Sequence, residues 1–456
     1  MTLLNNDYPR VLVVGHTPFS HDAGTAMTLS NLFSGWPKDR LGQIYTAALT
    51  PSAEVCENYF HLLPRDRYLP VQYRCMRLLG WSGRSSLHQV SAVSAVRTGA
   101  ELHPVMAKLY ANMKAADDLS PVRITQALIQ WAQEFQPDLV FSVPGSVRQM
   151  RIASAVADRC GVPLVPYFTD DWPATMYSSG ELFGLAGRSI RQELRRFIQL
   201  APVGMVISRP MAEEYTRRYG IPFHVFVNCV DEAFLATSQG EASESQPLTE
   251  LVYVGALHLK RWEALRDIGI ALNDVAATGL PVRLTIHAPA EDLARYGSHF
   301  THLKLVRLGP SLASHEVPAA LRAAGVLVHV ESSDGRIRRY VRYSVSTKIP
   351  QYLATGRAIL GYGPTEVASM SHIREANAGL TVEAGSTAAL VSAIRDLCRN
   401  AALRDTLARN GLAFARRNHL RAQVAADFAA TLHAAAARTG SVAPVAAGSG
   451  HTPAKG

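Results

Sequence analysis

The residues best suited to chemistry form a dense run, Ser346-Thr347-Lys348-Ile349-Pro350-Gln351, followed by Tyr352-Leu353-Ala354-Thr355-Gly356-Arg357-Ala358-Ile359. The run reads as a polar loop, a short helix, a glycine stop and a buried strand. Ser346 and Thr347 are residue types that cap a helix start. Pro350 is tolerated early in a helix, where an N–H has no partner anyway. Lys348 is the odd member, because a cation in the first turn opposes the helix dipole. A lysine beside the free N–H groups of a helix start suits a bound phosphate. The plainer reading is an ordinary strand-loop-helix of an α/β domain. A second group is Thr169-Asp170-Asp171-Trp172-Pro173, at the carboxyl end of an apolar strand. Open α/β sheets bind ligands at that edge. Asp170 and Asp171 could orient a hydroxyl or stabilise developing positive charge, or simply cap a helix entered through proline.

The elements that must position these groups form one pattern used twice. Val11-Leu12-Val13-Val14-Gly15 reads as a buried parallel strand closed by glycine, and Ala26 to Phe33 has helical periodicity. Strand, glycine-containing loop and helix open a Rossmann-like unit; no G-x-G-x-x-G is present, so a dinucleotide is not indicated. Gln43 to Ala48 and Pro137 to Ser142 read as strands, with a long helical stretch from Leu109 to Phe135 between them. Arg148 to Cys160 is a helix stopped by Gly161, Val162 to Phe168 a strand, Val203 to Ser208 another, and Met211 to Tyr219 a helix stopped by Gly220. Residues from about Thr50 to Leu102 show no clear pattern. Leu251-Val252-Tyr253-Val254-Gly255 restarts the scheme, with Lys260 and Arg261 at the next helix entry. Val282 to Ile286, Leu303 to Arg307 and Val326 to Val330 continue it as strands alternating with helices.

The chain has 456 residues, enough for two or three domains. Its formal charge of +9 suits phosphorylated ligands, anionic lipid or nucleic acid, and no nucleic-acid motif accompanies it. The five cysteines are scattered without a C-x-x-C pair, which argues against a disulfide framework or zinc site and for a reducing compartment. Met1 to Arg10 holds no apolar signal core, and no run approaches the roughly 18 apolar residues of a membrane span. The sequence therefore reads as cytoplasmic.

The wording Ser346-x-Lys348-x-x-x-Tyr352-Leu353-Ala354-x-Gly356-x-x-Ile359 resembles the nucleotide-sugar segment of GT-B glycosyltransferases, especially retaining family 4. The usual form there carries glutamate where this chain has Gln351; glutamine still donates and accepts to a diol but is uncharged. Ser208-x-x-Met211, Tyr219-Gly220 and Asn228-Cys229-Val230-Asp231 resemble a second family run, with Cys229 where glycine is common. The resemblance implies an α/β GT-B fold, two Rossmann-like domains with parallel sheets facing an interdomain cleft. It implies an N-terminal acceptor domain over residues 1–235, a linker over 236–249, and a donor domain over 250–418. A helix over 419–437 would cross back to the first domain, and residues 438–456 read as a disordered tail.

The implied reaction is hexosyl transfer from a nucleotide sugar to a saccharide or lipid-linked saccharide acceptor, as in cell-envelope polysaccharide synthesis, with retention of configuration. Gly255, Lys260, Arg261, Ser346, Thr347, Lys348 and Gln351 would bind the donor, with Glu331 on the sugar hydroxyls. Basic residues at helix entries make charge-assisted hydrogen bonds where a leaving diphosphate gains charge. The family's Glu-x7-Glu spacing is absent, since Tyr343 stands eight residues before Gln351. The first loop would put His16, His21, Asp22 and Gly24 toward the acceptor; alone, each also reads as a solvated loop residue. Asp170-Asp171 lacks the Asp-x-Asp spacing of metal-dependent GT-A enzymes, so neither metal nor cofactor is expected. Expected partners are the nucleotide sugar, the acceptor and an anionic membrane surface, reached peripherally through the N-terminal domain or the run Arg336 to Arg342. A nucleotide-sugar epimerase of the same fold and a non-catalytic two-lobed sugar-binding protein are the alternatives.

Overall fold

The computed structural model describes residues 8–20, 24–78, 104–236 and 249–437. Seven strands form the first sheet: β1 (Val11–Val14), β2 (Leu41–Tyr45), β3 (Asn58–His61), β4 (Leu139–Ser142), β5 (Leu164–Phe168), β6 (Gly204–Val206) and β7 (Phe223–Val225). Their order is β3-β2-β1-β4-β5-β6-β7, with every pairing parallel. Six more form the second: β8 (Thr249–Val254), β9 (Val282–His287), β10 (Val306–Leu308), β11 (Val326–Val330), β12 (Ile359–Tyr362) and β13 (Gly379–Val382). The order β10-β9-β8-β11-β12-β13 is again wholly parallel. Each sheet reverses its winding beside its first strand, between β1 and β4 and between β8 and β11. Such a switch point leaves a crevice at the carboxyl ends of the strands.

Local chemistry accounts for the element ends. The Ser208 hydroxyl accepts from the Met211 N–H to start the helix Arg209–Tyr219, and Gly220 ends it at φ 77°, a left-handed turn that glycine adopts without strain. The expected stretch Leu109 to Phe135 is two helices, Pro104–Leu119 and Gln126–Phe135. Pro121 has no N–H to continue the first, and Thr125 caps the second through the Leu128 N–H. The strand expected from Leu303 is shorter and later, Val306–Leu308. In the stretch without pattern, β3 joins the edge of the first sheet, and two short helices follow, Pro64–Arg67 and Pro70–Leu78. Residues 79–103, most of the expected linker (237–248) and the expected tail (438–456) lie outside the described residues.

The helix Arg421–Ala436 packs against the first sheet. Phe428 is fully buried, with its ring centroid 4.9 Å from Phe33, 5.2 Å from Phe226 and 5.7 Å from Phe141. The chain therefore passes twice between the lobes. The two passes touch: Val230 bridges Leu420 in parallel, its N–H donating to His419 and its carbonyl accepting from Arg421 at 2.8 and 2.9 Å. Among the described residues, no helix is long and apolar enough to cross a membrane.

Candidate active site

A cleft of about 470 Å³ lies between the lobes, lined by the loops after β1, β5, β8 and β11 and by Ser344 to Lys348. The helix Ile349–Ala354 buries every residue but Gln351, and fully burying an apolar side chain contributes about 1.5–3 kcal/mol. That helix is thus a firm base for the loop before it. The loop is laced to the first lobe: Ser208 Oγ donates to the Tyr343 carbonyl at 2.6 Å and Asn228 Nδ2 to the Thr347 carbonyl at 2.8 Å.

Lys348 stands one position earlier than expected, as the residue preceding the first helical turn. Ser346 and Thr347 line the cleft, but neither side chain caps the helix; the Ser346 N–H donates to Ser369 Oγ. The Lys348 side chain runs across Gly255. A Cβ there would lie 2.5 Å from Cε and 2.6 Å from Nζ, so only glycine leaves the amine its path. Burial, then the charge of Arg261, lower the amine to about 8, against the pull of Glu331.

Arg261 lines the same side of the cleft and places Nη2 3.3 Å from Glu331 Oε2. His329 Nε2 is 3.2 Å from the other carboxylate oxygen. Burial raises the Glu331 carboxyl, but Arg261 and then His329 outweigh it and hold it at about 2. Glu331 is therefore a fixed anion that aims Arg261. The loop before Arg261 is strained: Leu259 and Lys260 have φ of 60° and 56°, a conformation that costs a non-glycine residue about 1–3 kcal/mol. Lys260 turns out of the cleft lining and pairs with Asp334 at 3.0 Å. Gln351 is half-buried, one turn into its helix and away from the lining.

The two aspartates part company. Asp170 lines the cleft and accepts from Ser344 Oγ at 2.8 Å and Thr169 Oγ1 at 3.2 Å. Burial pushes its carboxyl up. Asp171 is buried away from the cleft, held by Arg218 at 2.8 and 3.1 Å and by the Tyr215 hydroxyl at 2.9 Å. Its geometry is that of a structural ion pair, so the expected carboxylate pair reduces to Asp170.

On the first lobe, His16 and Gly24 line the cleft. His16 Nδ1 is 2.8 Å from Thr46 Oγ1, and burial, then Arg67, hold the ring at about 4, neutral at pH 7. His21 and Asp22 lie outside the described residues. Ser344 and His329 shape the site and were given no role in the sequence, where lone polar residues carry no spacing signal, while Asn228 was noted there only within the run Asn228-Cys229-Val230-Asp231. Among the described residues, no group of three His, Cys, Asp or Glu could hold a metal ion.

No family model matches the sequence, and no curated protein does. Solved structures match in fold over nearly the whole chain. Sucrose-phosphate synthase from Thermosynechococcus elongatus superposes with a TM-score of 0.61 at 12% identity, covering 93% of this chain and 98% of its own. The α,α-trehalose-6-phosphate synthase of Burkholderia multivorans gives 0.60 at 13%, over 96% and 99%. HepE of Anabaena, solved in complex with UDP-glucose, gives 0.58 at 14%, over 93% and 99%. Two parallel sheets of this order, a cleft at both switch points and a terminal helix returned to the first lobe give this chain the GT-B fold of those glycosyltransferases.

Proposed function

We propose that this protein is a glycosyltransferase that moves a hexosyl group from a nucleotide sugar to a saccharide or lipid-linked saccharide of a cell-envelope polysaccharide. The observation that carries this reading is the convergence of Lys348 and Arg261 on the second-lobe wall of the cleft, with Gly255 kept bare beneath the lysine. In this scheme the acceptor oxygen bonds to the anomeric carbon as the carbon–oxygen bond to the diphosphate breaks, and the departing diphosphate takes both the bond's electron pair and the hydroxyl proton. Lys348 and Arg261 take up the charge arriving on the diphosphate, and Asp170 orients the hydroxyl. Two fixed cations supply what a divalent ion would, so activity is expected to persist in chelator. Retention of configuration is inferred from the resemblance of the Lys348 segment.

Attachment to an anionic membrane belongs to the same proposal. It is supported by the exposed Val105, Met106 and Leu109 on one helix, Phe183 nearby, and the arginine-rich helix Leu185–Gln199. Basic residues near such a surface contribute about 1 kcal/mol each.

The test is a panel of nucleotide sugars read by thermal shift, then nucleoside diphosphate release on adding acceptor saccharides. Stabilisation by one nucleotide sugar and acceptor-dependent release are expected. A changed sugar without release would mark an epimerase, and no shift with any nucleotide sugar would refute the reading.

A further inference from the structure

The two walls of the cleft differ in charge. Arg261 and Lys348 stand on the second-lobe wall, with Glu331 paired to Arg261. Among the described residues, no lysine or arginine lines the first-lobe wall, and Asp170 is the one acid there. What that wall offers besides is hydrogen-bonding groups without a formal charge.

Gln149 is the most telling of them. It is the third residue of the helix Val147–Cys160, which follows β4, and it is 8% exposed. Its Oε1 accepts from the Gly145 N–H at 2.8 Å. An N–H pairs with the oxygen of a carboxamide and not with its nitrogen, so this bond assigns the two ends of the side chain. Nε2, which can donate twice, has no hydrogen-bond partner among the described residues and is not sealed from solvent. The residue lines the cleft. A donor held in place with nothing to donate to is a ready contact for a ligand oxygen. His16 is similar. Thr46 holds its Nδ1, which leaves Nε2 for the cleft that the residue lines.

The spacing of these groups suits a sugar. His16, Gln149 and Asp170 follow β1, β4 and β5, three neighbours in the first sheet. Neighbouring strands lie about 4.8 Å apart, so the three groups spread over about 10 Å of the sheet's carboxyl edge. That is the breadth of a hexose ring with its hydroxyls. Two neutral nitrogens and a carboxylate complement hydroxyls, which both donate and accept. A phosphate or carboxylate on this wall would meet no cation and would face Asp170, and like charges set together are costly.

We infer that Gln149, with His16, grips the hydroxyls of an uncharged sugar on the first-lobe wall, that this sugar is the acceptor, and that Gln149 helps to decide which sugar is taken. Calling it the acceptor rests on the glycosyltransferase reading; the hydroxyl site stands without it.

The test uses the full chain. UDP affinity is measured first and reports on the donor reading alone. The protein, with and without saturating UDP, is then titrated with glucose, galactose and mannose, and with glucose 6-phosphate and glucuronate, followed by ligand-observed NMR. At least one uncharged hexose should bind tighter than either charged sugar. Gln149→Met, close in size but without the amide, should weaken that hexose about three- to ten-fold, the worth of one neutral hydrogen bond, with UDP affinity unchanged. Monodeoxy forms of the same hexose then identify the contact. One of them should bind wild type about three- to ten-fold more weakly than the parent sugar, and Gln149→Met should bind that form and the parent alike. Gln149→Asn, which draws the amide back by one methylene, should lessen the same discrimination, and it carries the comparison alone if the methionine variant does not fold. Hexose binding without UDP binding would keep the hydroxyl site and overturn its assignment to an acceptor. A charged sugar bound tighter than every hexose, no hexose binding, or a deoxy-sugar pattern that the variants leave unchanged would overturn the inference.

Discussion

Gly255→Ala is the smallest change that tests the donor site. The added methyl would lie 2.5 Å from Lys348 Cε and 2.6 Å from Nζ. Non-bonded carbons rest at about 3.5–4.0 Å, so the overlap is about 1 Å. The crowded atoms are the far end of a flexible side chain, and they yield before the backbone does. The Tyr253 hydroxyl, at 3.0 Å from the same methyl, needs to move only a few tenths of an ångström. An amine displaced by about 1 Å loses its hydrogen bond to a diphosphate oxygen. Such a bond to a charged group contributes about 1.5–3 kcal/mol, so UDP affinity should fall roughly 10- to 150-fold. Titration calorimetry measures the affinity, and a thermal melt reports that the fold survives. A double-mutant cycle isolates the route: in a Lys348→Ala background the alanine at 255 should cost almost nothing further. UDP binding by Gly255→Ala within two-fold of wild type would refute the reasoning. So would an equal loss in both backgrounds, since the effect would then not pass through Lys348.

Two further outcomes follow from the charges around the cleft. Burial, then Arg261, lower the Lys348 amine to about 8, so its cation is present below that pH and lost above it; UDP affinity should be flat to about pH 7.5, decline through pH 8 to 9, and show no such decline in Lys348→Ala, as measured by calorimetry across pH. Arg218→Ala leaves Asp171 buried with the Tyr215 hydroxyl as its remaining side-chain partner, which should cost about 3 kcal/mol of stability in denaturant melts while UDP affinity stays unchanged, and a loss of binding without a loss of stability would return Asp171 to the active site.

Much of the fold was legible because its signals are local and repeated. Apolar runs closed by glycine marked β1 and β8, and serine and glycine bracketed the helix Arg209–Tyr219. β3 escaped notice because Asn58–His61 is only half-buried and sits among prolines. Arg261 was found because it stands at a helix entry after an apolar strand, and Lys348 because it stands at the start of a short helix that a glycine stops before a buried strand. What the sequence could not show is side-chain direction. Lys260 and Arg261 are adjacent, yet a left-handed φ at Lys260 sends one to Asp334 and the other to the cleft. Asp170 and Asp171 also diverge, though without a left-handed φ, and Arg218, which claims Asp171, lies 47 positions away.

The return of Phe428 to the first lobe has a consequence for synthesis. A chain emerging from the ribosome offers the stretch up to Phe226 before any of the second lobe, and with it all seven strands of the first sheet. The aromatic cluster of Phe33, Phe141 and Phe226 then still lacks the ring that closes it. The second lobe is made whole, from β8 to β13, before that ring appears. The lobe translated first is thus the lobe finished last, and its open apolar face must wait for about 200 further residues, at roughly 5–20 residues per second, in a nascent state that a holdase could cover.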